Sequence, residues 1–552
     1  MGERQDDKAE RWIEAHPERI DVAAVRRELE EIIARLDRMK NGTPQEVNRI
    51  IRTEGKGRLS KSQVLKGYRQ LVALGEIPPN NSVEGLLKMK PTRTLSGVAP
   101  VAVLTKPHPC TGTCIFCPDL PGVMPTSYLP NEPGARRAAQ LDFDPYRQTE
   151  RRIHALENIG HTTAKIELII LGGTWSRYPE EYQAWFIKRC LDGMNRYTSS
   201  TLEEAQRLNE DAASRNVGMV IETRPDCITP REVVRLRRYG VTKVQMGIQS
   251  LDDAILERNK RGHDVEEIRS AFRLLRAAGF KIHVHWMPNL LGATPESDLE
   301  DFAKIWDDHS FRPDELKLYP CMVVAGSELY DLWKKGEYTP YSTETLIDLL
   351  AQCKKRVPPY CRITRVMRDI PSSDIIAGCS YSNLRQMVRD HMHTSGNACG
   401  CIRCREVRRE SVDQDSLVFR TTRFETDGTE EYFIAAEERD VRPGRPHPLL
   451  AGFLRLSLPT GNEEALLSII PELRNVAMVR EVHVYGPSLA LGSHEGGRAQ
   501  HIGLGTELLN RAEETAKAGG FNRIAVISAI GTRGYYRKRG YVDGEFYLHK
   551  DI

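Results

Sequence analysis

Three cysteines stand in the run Pro107-His108-Pro109-Cys110-Thr111-Gly112-Thr113-Cys114-Ile115-Phe116-Cys117, spaced C-x3-C-x2-C. Thiolates are the soft ligands that iron–sulfur clusters take, and three on one tight loop can hold three irons of a [4Fe–4S] cubane. The fourth iron then stays open to a substrate. A C-x2-C pair alone also permits a zinc knuckle, but the triple directly after a strand-like stretch, Val98 to Thr105, favours the cluster.

A second thiol group, Cys399, Cys401 and Cys404, is spaced C-x-C-x2-C and lacks that strand-and-glycine context, so it reads as structural zinc. A closed tetrahedral site requires a fourth ligand. Cys321 is the first choice because it ends a strand-like run and would staple two segments together; His391 and His393 are the alternatives. Three reduced cysteines without metal are the competing reading. A third constellation is Gln500-His501-Ile502-Gly503-Leu504-Gly505, followed by the helical pattern Thr506–Lys517. Such a loop offers free backbone N–H groups and the positive end of a helix to a pyrophosphate.

The elements that must position these groups follow from periodicity. Strand-like runs at Val98–Thr105, Ile166–Gly173, Gly218–Pro225, Lys243–Ser250, Lys281–Asn289 and Glu315–Pro320 are mostly separated by helical patterns such as Pro230–Tyr239 and Val265–Ala278. Six βα units in order imply a parallel sheet curled into a full or partial barrel, with chemistry at its C-terminal strand ends. Those ends carry the cysteine loop, Gly172-Gly173-Thr174, Glu222-Thr223-Arg224-Pro225, Gln249-Ser250, Pro288-Asn289 and Tyr319-Pro320-Cys321. Gly172 and Gly173 let backbone approach a ligand closely. Glu222, Arg224 and Gln249 are placed by strand order to bind hydroxyls, carboxylate or nucleic-acid backbone. Lys317 points either into the barrel as a charge or out toward the helices.

At 552 residues the chain exceeds one core. Pattern divides it into a helical region, residues 1–95; an α/β region, residues 96–370; a cysteine linker, residues 371–415; and a β-rich, then α/β region, residues 416–552. No apolar run approaches the roughly 20 residues that cross a bilayer. Twelve cysteines, six of them in the two dense groups, fit metal binding in a reducing cytoplasm better than disulfides. The net charge of +3 excludes nothing, but Arg49, Arg52, Lys56, Arg58, Lys61, Lys66 and Arg69 sit among few acids, with Gly55, Gly57 and Tyr68 interleaved. That stretch reads equally as a phosphate grip or as a solvated helix face.

The cysteine triple with its glycine pair resembles the radical S-adenosylmethionine (SAM) enzymes, whose open iron chelates SAM and whose glycine pair binds its amino group. The Q-x-x-G-x-G loop lies between strand-like Val479–Tyr485 and Arg523–Ser528, before Tyr535-Tyr536-Arg537-Lys538-Arg539-Gly540-Tyr541. That order is similar to the GNAT acetyltransferases. It implies acetyl-CoA on Gln500 to Gly505 and Tyr536, and Tyr535 or Tyr536 as the general acid for the leaving thiolate, the other packing beneath it. The combination of a partial (β/α)6 radical SAM barrel, a cysteine linker and a GNAT domain resembles the catalytic subunit of Elongator in its stand-alone bacterial or archaeal form. Lys90–Thr94, Lys106–His108, Ile221–Asp226, Gly247–Ser250, Arg261–His263, Leu316–Pro320, Arg405–Val407 and Thr532–Gly540 carry it. The short x3 gap is that of the wider superfamily; many members have a longer one.

The resemblance implies a tRNA wobble-uridine acetyltransferase, served by an electron donor. A deoxyadenosyl radical would take a methyl hydrogen from acetyl-CoA, the acetyl radical would add to uridine C5, and hydrolysis would leave 5-carboxymethyluridine. Arg49, Arg52 and Lys56 would then hold tRNA phosphates, and the target base would be splayed from its loop. The runner-up is a protein lysine acetyltransferase with the barrel as scaffold or SAM sensor. A tRNA-docking module without turnover is a third class. Whether the chain works as a homodimer or with further subunits is open.

Overall fold

The computed structural model describes residues 20–39, 42–110, 112–408, 410, 412–461, 463–486 and 503–552. The chain forms two units, residues 1–94 with 152–163, and residues 95–151 with 164–552. The segment limits expected near residues 370 and 415 both fall inside the larger unit.

The smaller unit is helical. Its helices Arg26–Asp37, Pro44–Glu54, Lys61–Ala73 and Asn81–Leu87 start where the sequence supplies caps. Thr43 and Glu46 form a capping box ahead of Pro44, Ser60 and Gln63 form another, and the Asn80 side chain accepts from the Ser82 and Val83 N–H groups. Leu29, Ile32 and Leu36 recur at helical spacing and bury against Val47, Ile51, Val64, Leu65, Tyr68, Val83 and Leu87. Burial of that stripe leaves Arg49, Arg52, Lys56 and Arg58 exposed.

The larger unit begins with a parallel sheet. Its strands are β1 (Ala99–Leu104), β2 (Lys165–Leu171), β3 (Arg215–Thr223), β4 (Lys243–Gln249), β5 (Lys281–Trp286) and β6 (Glu315–Leu318). A short β7 (Val323–Val324) follows, then β8 (Arg362–Arg365), which adds a seventh parallel strand beside β6. β1 and β8 are the two edges, so the barrel is partial. The sequence pattern shows six strands because β8 is four residues long and reads Arg-Ile-Thr-Arg, an edge strand with one fully buried side chain. β7 pairs with β9 (Ile375–Ala377) in a separate two-stranded ribbon.

The second sheet of this unit is built from β10 (Leu417–Thr426), β11 (Thr429–Glu438), β12 (Leu450–Pro459), β13 (Ala477–Val484), β14 (Arg523–Val526), β15 (Val542–Asp543) and β16 (Leu548–Asp551), in the order β10-β11-β12-β13-β14-β16-β15. All pairs are antiparallel except β13 with β14. That parallel pairing spans only Ala477–Val479 with Ile524–Val526, so β13 runs on beyond it without β14. The helix Leu504–Ala518 lays Leu504, Leu508, Leu509, Ala512 and Ala516 on Ile434, Leu454, Leu456 and Val479. This α/β arrangement is consistent with a GNAT-like domain.

The two sheets are joined by a buried ionic cluster. Asp314, just before β6, meets Arg480 of β13, Arg455 of β12 and Arg276 of the helix Val265–Ala277, and Arg480 also pairs with Glu431 of β11. Charges taken this far from water persist only when nearly every lone pair and N–H is met.

Candidate active site

The cysteine loop leaves β1 at the C-terminal edge of the parallel sheet. Cys110, Cys114 and Cys117 are all half-buried, and the Cys117 N–H donates to the Cys114 carbonyl at 3.1 Å. Arg261 Nη1 donates to Cys114 Sγ at 3.0 Å. A hydrogen bond from Cys117, with the guanidinium groups of Arg261 and Arg224, pulls the Cys114 thiol down to about 5. The same hydrogen bond and burial push the Cys117 thiol up, so the two share the shift between them. Gly112 lets the Arg224 guanidinium come close, since a Cβ at that position would meet its Nη1. The Gly112 N–H points at Cys110 Sγ, 3.3 Å away.

The strand ends come together around this loop. Thr174 Oγ1 lies 3.7 Å from Cys110 Sγ. Gly172 has φ +133° and packs so close to Thr105 that a Cβ would overlap its hydroxyl. Arg224 donates to Asp226 Oδ1 (2.8 Å) and to the Arg261 carbonyl (2.6 Å). Its Nη1, together with Arg261 Nε, Gln249 Oε1 and His263 Nδ1, is buried with no hydrogen-bond partner. Orphaned polar atoms of this kind call for a polar ligand, and four of them beside the cysteine loop fit SAM on a cluster. Gln249 itself is held at φ +66°. Glu222 accepts from the Tyr128 hydroxyl at 2.7 Å, and Arg368 pairs with Glu132 beside it.

Lys317 points inward. Its Nζ donates to Gln245 Oε1 at 2.6 Å, and burial pushes its pKa down to about 7. The alternation along three strands explains this: Lys243 and Gln245, His283 and His285, and Glu315 and Lys317 share one face, while Val244, Ile282 and Leu316 take the other. Arg261, His263, Tyr128 and Arg368 were not expected as site residues. Arg261 and His263 follow β4 by more than ten residues, and no spacing rule marks them.

The second thiol group comes together: the Cys399, Cys401 and Cys404 sulfurs lie within 4.8 Å of one another, close enough for a single ion. Hydrogen bonds from Cys399 and Cys404 hold the Cys401 thiol well below its usual range. Cys321 is not with them, which corrects the expected fourth ligand. It is buried among Ile115, Phe116, Val323, Leu329 and Tyr338, where desolvation pushes its thiol up to about 12. His391 and His393 are exposed, and His391 Nε2 faces Asp348 at 3.6 Å. An imidazole near the loop of these thiols is that of His447, whose Nε2 would lie 3.8 Å from a Cβ on Gly400 and is buried without a partner. Burial lowers its pKa. A lone histidine between two prolines gives no sequence signal.

In the C-terminal sheet, Gly503 (φ +68°) opens the helix Leu504–Ala518. Gly505 makes room for Tyr535, whose hydroxyl would be 2.7 Å from a Cβ there. Arg539 stacks on the Tyr535 ring, 3.6 Å from its centroid. Tyr536 packs in the core against Tyr541. Thus Tyr535 meets the helix start and Tyr536 takes the packing role. Gln500, His501 and Ile502 lie outside the described residues. In the smaller unit, Arg49 and Arg52 are exposed on the helix Pro44–Glu54, and Lys56 lies 3.8 Å from Glu28.

The parallel sheet and its cysteine loop define a radical SAM protein, and residues 108–305 match the Radical SAM superfamily model, with residues 313–394 matching the Radical_SAM C-terminal domain. A tRNA uridine(34) acetyltransferase of Methanocaldococcus jannaschii is 42% identical over 478 residues, covering 84% of this chain and 86% of that protein. Human Elongator complex protein 3 is 38% identical, covering 82% and 84%. The solved archaeal Methanocaldococcus infernus Elp3, lacking residues 1–46, superposes with a TM-score of 0.71 at 38% identity, covering 83% of this chain and 100% of that one. The chain belongs to the Elongator complex protein 3 family.

Proposed function

We propose that the protein is an acyltransferase that modifies the wobble uridine of tRNA at C5, with acetyl-CoA as the donor and 5-carboxymethyluridine as the product. The reading is supported by relatives named tRNA uridine(34) acetyltransferase. The observation that carries the reading is that both centres lie in one unit: the thiol loop and the helix start at Gly503 sit on two sheets joined through Asp314 and Arg480.

Cys110, Cys114 and Cys117 hold the [4Fe–4S] cluster, and Gly172, Gly173, Thr174, Glu222, Arg224 and Gln249 surround SAM. When bound, these cofactors supply the carbon-centred radical that activates the acetyl methyl group. Lys317, whose amine burial brings down to a pKa of about 7, holds or moves a proton at Nζ inside the sheet. Gly503, Leu504 and Gly505 present backbone N–H groups to the CoA phosphates. The Tyr535 hydroxyl protonates the leaving thiolate. Cys399, Cys401 and Cys404 hold zinc, with His447 as fourth ligand in place of Cys321. Exposed Arg49, Arg52 and Lys56 bind RNA phosphates. No helix among the described residues is long and apolar enough to cross a membrane.

The test is mass spectrometry of tRNA nucleosides after anaerobic incubation of the reconstituted protein with SAM, acetyl-CoA and a reductant. The expected product is 5-carboxymethyluridine, with acetyl-CoA turnover stimulated by tRNA. Equal acetyl-CoA hydrolysis with and without tRNA, together with rapid acetylation of a lysine peptide, would replace this reading with that of a protein acetyltransferase.

A further inference from the structure

Beside the cysteine loop lies a feature that neither the cluster nor the acetyl group uses. Four rings form a continuous stack: His108 on Tyr178 (centroids 4.6 Å apart), Tyr178 on Tyr182 (5.1 Å) and Tyr182 against Trp185 (5.5 Å). The stack is clamped to the backbone of Lys106. The Lys106 N–H donates to the Tyr182 hydroxyl at 3.1 Å, and the Tyr178 hydroxyl donates to the Lys106 carbonyl at 2.7 Å. The inner rings are buried or half-buried, but Trp185 leaves 44% of its surface in solvent.

Trp185 and Tyr182 form one wall of an open cleft of about 510 Å³, completed by Lys106, Phe143 and Arg147 with Asp142 and Asp144. That volume suits a small ligand, since such clefts commonly run to roughly 300–1,000 Å³. The two acids and two cations of the cleft balance, but both acids are engaged by Arg147. Asp144 is engaged by the Arg147 N–H at 2.8 Å at a helix start, and Asp142 is paired with the Arg147 guanidinium at 3.2 Å. Neither acid is bonded to Lys106, whose ammonium lies 4.9 Å over the Tyr182 ring beside the platform. Asp142 and Phe143 are both held at φ +54°, which turns the chain so that Phe143 enters the wall. Bulky residues adopt that backbone only where the surroundings impose it.

We propose that this cleft binds an unpaired nucleotide of the RNA substrate, its base stacked on Trp185 and its phosphate against Lys106. The inference rests on the tRNA reading above and adds to it where a nucleotide flanking the reacting base is held. An aromatic platform with an adjacent cation is the chemistry that binds single-stranded nucleic acid without reading its sequence. Lys106 precedes Cys110 by four residues, at most about 14 Å of extended chain. A short run of unstacked nucleotides bridges that distance.

The experiment measures the affinity of the reconstituted full chain for a labelled anticodon stem-loop RNA, as a function of salt, with Trp185→Ala, Trp185→Phe and Lys106→Ala variants. Trp185→Ala should weaken binding by about fivefold or more, the low end of what one stacked base contributes. Its salt slope should stay that of the wild type, because stacking involves no counterion. Trp185→Phe should retain most of the affinity, and Lys106→Ala should lower the salt slope by about one ion. Tryptophan emission should be quenched on RNA addition in the wild type and much less in Trp185→Phe. Wild-type RNA affinity and unchanged quenching in the Trp185 variants would overturn the proposal. Wild-type RNA affinity with slowed cluster reduction by a protein electron donor would overturn it in favour of a donor-docking role. Failure of the wild type to bind RNA would remove the tRNA reading itself, and this inference with it.

Discussion

Arg480 and Asp314 form a two-pronged ion pair, Nη1 to Oδ2 and Nη2 to Oδ1, both at 2.8 Å and both almost wholly buried, between the C-terminal sheet and the strand that carries Lys317. Bidentate guanidinium–carboxylate geometry fixes orientation as well as distance. The pair therefore sets how the two sheets face one another, aided by Lys281 with Glu481 and by Arg362 with Glu406 at 2.7 Å.

Asp314→Asn should destabilise the larger unit by about 3–5 kcal/mol, because it leaves Arg480, Arg455 and Arg276 buried around a neutral amide. Denaturant unfolding measures it. The three arginines hold the Asp314 carboxyl far below its usual range despite burial. A depressed folded pKa gives stability that is complete above the unfolded pKa and is lost only as pH falls through the folded one. This contribution should thus survive from neutral pH down to below pH 4 in the wild type and be missing throughout in the variant.

Replacing Cys110, Cys114 and Cys117 together with Ala should abolish the thiolate–iron absorbance near roughly 400 nm. Arg261→Ala alone should slow reconstitution, since it removes the donor 3.0 Å from Cys114 Sγ. Retention of stoichiometric iron in the triple variant would remove the cluster assignment.

Elemental analysis should find one zinc apart from the iron. Cys404→Ser and His447→Ala should each cut zinc affinity by more than about tenfold, whereas Cys321→Ala should not. Loss of zinc in Cys321→Ala with full retention in His447→Ala would reverse the placement of the fourth ligand.

Lys317 yields a pH signature. Burial lowers its folded pKa to about 7, against nearby Glu222, which raises it, and Arg365, Lys243 and Arg368, which lower it further; the neutral His285 lies on the same face. Between about pH 7 and the unfolded value near 10.4 the unfolded chain binds the extra proton, so stability falls as pH drops through that window. Lys317→Met should flatten this slope, read as unfolding midpoints from pH 7 to 10. In the wild type, turnover that needs the neutral amine should rise through pH 7.

Gly503→Glu should block acetyl-CoA and spare RNA binding. It forces a side chain onto φ +68° and places a carboxylate where the CoA phosphates would lie. Calorimetry with acetyl-CoA should show affinity reduced at least tenfold, while the stem-loop RNA binds as in the wild type. Equal loss of both would indicate a misfolded domain.

Local signals in the sequence were enough for the elements and for groups whose partners are near in the chain. Three cysteines within eight positions, a glycine pair after a strand and a glycine loop before a helix are short-range geometries, and strand periodicity located six of the seven parallel strands. The rest depended on residues far apart in sequence. Lys317 faces inward because its strand's register puts it beside Gln245, 72 positions away. Cys321 lies away from the other thiols and the unforeseen His447 lies near them, because packing buries one sulfur among apolar side chains and leaves one imidazole nitrogen unpartnered by Gly400. Tyr535 and Tyr536 are adjacent and identical in type, and only the close approach at Gly505 separates the ring at the helix start from the ring in the core. The pair Arg480 with Asp314 spans 166 positions, and no local pattern marks either residue. Each of these choices is made by burial and desolvation, and those energies are set only once residues distant in the chain have packed together.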